Sequence, residues 1–156
     1  MSIDNVRKYL TRFNIENDIL EFPVSSATVQ LAAEALNVIP ARITKTLALK
    51  DGDGCMVIAV AGDGKIDNKK FKTEFGFKAK MLSPKETLEM TGHAVGGVCP
   101  FALPEGVKAY CDISMKRFDT VFPACGSSNS AIELTCDELF EYSNAVKWID
   151  ICKDWE

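Results

Sequence analysis

The chain has 156 residues, 47% of them hydrophobic and 26% charged, with a formal net charge of −4 and a pI near 5.1. That length suits one domain over residues 1–156, able to bury roughly 70% of the unfolded chain's surface. The acidic balance excludes broad, sequence-independent binding along a duplex, which needs an extended basic surface, but not a grip on a short nucleic-acid end.

In chain order, Ile3, Val6, Leu10 and Phe13 recur at helical spacing, with Ser2 as candidate N-cap. This mixed-charge start lacks the basic and apolar regions of a secretion signal. Apolar runs such as Met56–Ala61 fall far short of a membrane span. A cytoplasmic monomer is expected. A short strand over 19–22 ends at Pro23, and Thr28 caps a helix through Leu36 that Asn37 and Pro40 close. Ile43–Lys50 alternates as a strand, and Asp51-Gly52-Asp53-Gly54 signals a hairpin into a strand over 55–61.

A helix over 68–75 stops at Gly76, and a brief strand is expected near 78–82. Ser83-Pro84-Lys85-Glu86 is a capping box with proline at the first helical position. Beyond it, strands are expected at 107–111, 120–122 and 130–134, with a helical turn at 113–117. Thr135 and Glu138 form a second capping box, and a terminal strand is expected at 147–151. A strictly alternating parallel α/β sheet would not contain the 51–54 hairpin, so a mixed sheet with packed helices is preferred. Neither a Gly-x-Gly-x-x-Gly nor a P-loop pattern is present.

Six cysteines stand at 55, 99, 111, 125, 136 and 152; no two are spaced as C-x-x-C, and the chain has one histidine. Zinc-site spacing is therefore missing and free thiols are expected, with Cys55, Cys111 and Cys136 as small apolar packers. Lys65, Lys69, Lys70, Lys72, Lys78 and Lys80 crowd one segment. They read either as a solvated helix face or as a local grip on a nucleic-acid end.

The densest signal is Gly92-His93-Ala94-Val95-Gly96-Gly97-Val98-Cys99-Pro100-Phe101, where three glycines, a proline and the only histidine share ten positions. Such a loop suits a pocket wall built from backbone, although a tight helix-to-strand turn would explain one of its glycines. Lys45 lies mid-strand on the face of Leu47 and Leu49, opposite Thr44, Thr46 and Ala48. It reads as an edge lysine that blocks aggregation or as a cation lining a pocket for phosphate or carboxyl groups.

Ala27-Thr28-Val29 with Ala32-Ala33-Glu34-Ala35-Leu36, then Ile43-Thr44-Lys45-Thr46-Leu47, then the 92–101 segment, resemble in order and spacing the YbaK/ProX aminoacyl-tRNA deacylases. These are stand-alone relatives of the editing domain of bacterial prolyl-tRNA synthetases. Asp112, and Ala124-Cys125-Gly126 before Ile132-Glu133-Leu134, fit later blocks more loosely. The resemblance implies an α+β fold with a mixed, partly barrel-like sheet flanked by helices. It implies hydrolysis in trans of the ester of a mischarged tRNA, most often Cys-tRNA(Pro) or Ala-tRNA(Pro), by backbone positioning and substrate-assisted attack. No metal or organic cofactor is expected.

The matching functional positions are Lys45, Gly96 and Pro100, with Thr28, Gly97, Val98, Cys99, Phe101 and Gly126 around the substrate. The implied partners are the tRNA acceptor end and a prolyl-tRNA synthetase, with no membrane. Cys99 departs from the serine common in relatives. Two other readings stay open: a non-catalytic module for an aminoacyl or tRNA end, and a thiol hydrolase with Cys99 as nucleophile and His93 as base.

Overall fold

A computed structural model describes residues 2–155. Helix α1 (Ser2–Leu10) buries Val6 and Leu10 and tightens into a 3-10 turn at Thr11–Phe13, so the expected amphipathic stripe is present. Ser2 is its first helical residue, and the Ser2 hydroxyl goes to His93 rather than to a cap. Strand β1 (Leu20–Glu21) follows, then α2 (Val29–Leu36), which starts at Thr28 with the side chain accepting from the Leu31 N–H and ends on left-handed Asn37.

The hairpin pairs β2 (Thr44–Asp51) with β3 (Gly54–Ala61) through eight antiparallel partners, Thr44 opposite Ala61 and Asp51 opposite Gly54. Strand β4 (Lys65–Ile66) and helix α3 (Asn68–Phe75) come next. Helix α4 (Pro84–Thr91) carries the complete Ser83/Glu86 capping box, and β5 (Lys108–Asp112) runs parallel to β3. Strands β6 (Thr120–Val121), β7 (Ser130–Ala131) and β8 (Leu134–Thr135) precede α5 (Cys136–Tyr142), which has the Thr135/Glu138 box. Strands β9 (Trp148–Ile149) and β10 (Cys152–Lys153) finish the chain.

The central sheet is β2-β3-β5-β9, antiparallel between β2 and β3 and parallel beyond. Short antiparallel pairs β1/β7, β4/β10 and β6/β8 wrap around it, giving the mixed, partly barrel-like α+β arrangement. One face of the hairpin packs Leu49, Met56, Ile58 and Val60 with Phe71, Tyr110 and Ile149. On the other face, Ala48 and Val57 join Leu82, while Ala59 and Ala61 belong to the largest cluster, beneath α1. All six cysteines are free thiols, with Cys55 and Cys111 buried and Cys136 half-buried.

Three expected strands differ; that over 147–151 is only Trp148–Ile149, beside β5, and the chain then turns to pair Cys152–Lys153 with β4. Only Met81 of 78–82 is in a bridge, opposite Leu49, because this segment meets the end of β2 and then turns into α4. The expected strand over 130–134 is two short ones, because the Ile132 N–H turns back to the Pro123 carbonyl at 3.0 Å. Among the described residues no helix is long and apolar enough to cross a membrane.

Candidate active site

A cleft of about 390 Å³ runs along the outer edge of β2, so residues from both faces of that strand border it. One end is apolar, made by Val29 and Ala32 of α2 with Ile43 and Phe122; the other is closed by Met81, Leu82 and Thr87. Ala27, Thr28, Gly96 and Val98 complete the wall, so four of the expected positions, Lys45, Thr28, Gly96 and Val98, meet here.

The loop reaches the cleft because it is nearly stripped of side chains where it crosses its neighbours. Gly96 has φ +97°, and a Cβ there would sit 3.1 Å from that of Ala27. A Cβ on Gly97 would come within 2.8 Å of the Gly126 carbonyl carbon and the Ser127 nitrogen, both main-chain atoms with nowhere to go. Gly97 and Gly126 thus seal loop 92–101 against loop 123–130 rather than lining the cleft. Gly126 in turn backs onto Ser2. The segment before α2 is tied to the same loop by the Ser26 N–H, which donates to the Ser128 carbonyl at 2.6 Å.

Lys45 lies opposite Val60 in the ladder, on the face of Leu47 and Leu49 as its alternation predicts. Its ammonium donates to the Gly64 carbonyl. Burial lowers its pKa below the usual lysine value, while Cys152 and the Asp63 carboxylate favour the charged form. Asp63 is itself held as a carboxylate below its ordinary range by the Arg117 guanidinium, 2.6 Å away. An ammonium has three donors, and the bond to Gly64 uses one of them.

The remaining expected positions lie behind the wall. Cys99 and Phe101 are wholly buried in the main core, and Pro100 borders a separate hollow with Tyr9 and Arg12. His93 Nε2 lies 2.8 Å from the Phe101 carbonyl, which can only accept, so that nitrogen carries the hydrogen. Burial lowers the histidine pKa and keeps the ring neutral, so Nδ1 accepts from the Ser2 hydroxyl. Cys99 Sγ is 3.6 Å from Nε2, but no ring nitrogen remains to take its proton, and burial pushes its pKa up to about 12. The thiol-hydrolase reading fails on this geometry: a thiolate nucleophile needs a lowered pKa and access. His93 is the satisfied turn residue that its place after a helix suggests.

Thr44, Thr46 and Ala48 border the cleft and were not singled out from the sequence, where they read as the plain opposite face of a strand. Their signal was positional: they flank Lys45 on an edge.

The description of the aminoacyl-tRNA editing domain matches residues 24–142. The chain belongs to that family. It is 58% identical over 157 aligned positions, all of both chains, to the uncharacterized protein YwhH of Bacillus subtilis (strain 168). Over 90 residues, 57% of this chain and 16% of the other, it is 29% identical to the proline–tRNA ligase of Kosmotoga olearia. A crystal structure described as a candidate trans-editing enzyme for prolyl tRNA synthetase superposes with a TM-score of 0.87 at 26% identity, covering 97% of each chain. An aminoacyl-tRNA editing domain thus places its Gly/Pro loop and its strand lysine on one cleft.

Proposed function

We propose that this protein is a stand-alone deacylase that hydrolyses the ester of mischarged tRNA, acting on small aminoacyl groups such as alanyl or cysteinyl carried by tRNA for proline. One observation carries the reading: in a chain of the editing-domain family, Lys45, Gly96 and Val98 border the same small, largely apolar cleft.

Water adds to the acyl carbon, the bond to the terminal ribose oxygen breaks, and that oxygen leaves with a proton. An aminoacyl ester is already activated, so positioning plus stabilisation of the developing oxyanion suffices without a strong acid or base. The Lys45 ammonium supplies positive charge, and rigid main chain holds the acyl group. A neighbouring ribose hydroxyl, or the thiol of a cysteinyl group, serves as the substrate's own contribution. Such editing has a physical motive, since one methylene gives a synthetase only about 10–200-fold discrimination. The apolar end at Val29, Ala32 and Ile43 suits an uncharged side chain.

The test is a panel of tRNAs for proline charged with alanine, cysteine or proline, incubated with low concentrations of protein. Faster loss of alanyl or cysteinyl ester than of prolyl ester is expected. Binding of the charged end without turnover would instead establish a non-catalytic module.

A further inference from the structure

Strand β2 is an edge of the central sheet, yet its outer side is covered at both ends. Near its start the Thr44 N–H donates to the Phe122 carbonyl and the Phe122 N–H to the Arg42 carbonyl, each at 3.0 Å. Near its end the Leu82 N–H donates to the Ala48 carbonyl at 3.0 Å and the Lys50 N–H to the Lys80 carbonyl at 2.8 Å. In an antiparallel ladder a residue turns both its N–H and its C=O to the same side, and alternate residues turn to the same edge. Thr44, Ala48 and Lys50 face outward, so Thr46 does too.

Thr46 falls in the gap between the two covers. No protein group pairs with its N–H or C=O among the described residues. Its Oγ1 is shut off from solvent and also lacks a hydrogen-bond partner; Glu16 Oε2, away from the cleft, is the other such side-chain atom among them. A buried polar group left unpaired costs about 1–3 kcal/mol. The idle N–H and C=O of one residue on the wall of a cleft describe a ligand's hydrogen-bond pattern.

We propose that the aminoacyl group docks on Thr46 as one residue of an added β-strand. Its α-ammonium donates to the Thr46 carbonyl, and its acyl oxygen accepts from the Thr46 N–H. This rests on the deacylase reading and extends it to how the common part of every amino acid is held. A free amino acid ester offers donor and acceptor at the spacing of a strand residue, which is what main-chain edges recognise. Cross-strand partners project to the same face, so the substrate's side chain lies beside that of Thr46.

The experiment has two arms on the full chain, each rate divided by the spontaneous hydrolysis of the same ester. The first compares alanyl-tRNA with propionyl-tRNA, which differs only in lacking the α-amino group. The second replaces Thr46 by its α-hydroxy acid through nonsense suppression. That change removes one N–H that takes no part in the β2/β3 ladder, and an unchanged melting temperature confirms the fold. A loss of about tenfold or more is expected in each arm, as for hydrogen bonds to charged or buried partners. An equal relative rate in either arm, on a parent that deacylates alanyl-tRNA, overturns the proposal and leaves the deacylase reading standing. A parent inactive on every charged tRNA for proline ends both.

Discussion

The two sides of loop 92–101 make opposite use of their residues. Facing inward, His93, Cys99 and Phe101 are at most 1% exposed, and the ring and thiol are neutral. Facing outward, Val95, Gly96 and Val98 carry no reactive group and form the wall of the cleft. The residue types most often associated with catalysis hold the loop in shape, and the plain ones face the cleft. Burial and backbone direction decide the role, because a thiol or imidazole acts only where it can shed or take a proton.

The largest effect is expected on the cleft side. Lys45→Ala is expected to lower deacylation on the order of a hundredfold, the scale of losing one preorganised electrostatic contact. The Lys45 ammonium bonds a single carbonyl in the fold, so the melting temperature should move little. A parent-like rate in the folded variant would remove the lysine from the mechanism. The seam between the two sides comes next. Gly97→Ala places a Cβ against two main-chain atoms at 2.8 Å. We expect it to destabilise by about 1–3 kcal/mol in urea unfolding and to reduce activity with it.

The inner side is sharpened by pH. Burial lowers the folded-state pKa of His93, so the unfolded chain binds its proton more readily and stability rises with pH. The contribution is fully present above the unfolded value of about 6.5 and is lost as pH falls through the lower folded value. His93→Gln, which cannot charge, should flatten the unfolding midpoint against pH in this window. An unaltered slope would reassign the acid sensitivity elsewhere. The smallest effect is expected from Cys99→Ser, with deacylation within about threefold of the parent, since its thiol reaches no substrate; a loss approaching that of Lys45→Ala would revive the nucleophile.

Local chemistry made much of this legible in the sequence. Both capping boxes, the 51–54 hairpin, the Thr28 cap and the Gly76 stop are written in neighbouring residues, and each is found where expected. Lys45, Thr28, Gly96 and Val98, singled out through the order of their motifs, border one cleft. What stayed hidden depends on distant partners. Ser2 reads as a cap until His93, 91 positions away, takes its hydroxyl. Pro100 and Phe101 share the loop's pattern but sit on its far side, which spacing does not reveal. Thr46 stands out only once the 80–82 and 120–122 segments are seen covering the strand on either side of it.

That covering has a second consequence. A bare outer strand is a template on which other chains can stack, and proteins ordinarily blunt it with charge, proline or a bulge. Here the same shielding at both ends that isolates one residue leaves too short an opening for a second copy to zip onto. Cover against edge-to-edge pairing and the proposed seat for a single amino acid are two readings of one architectural gap.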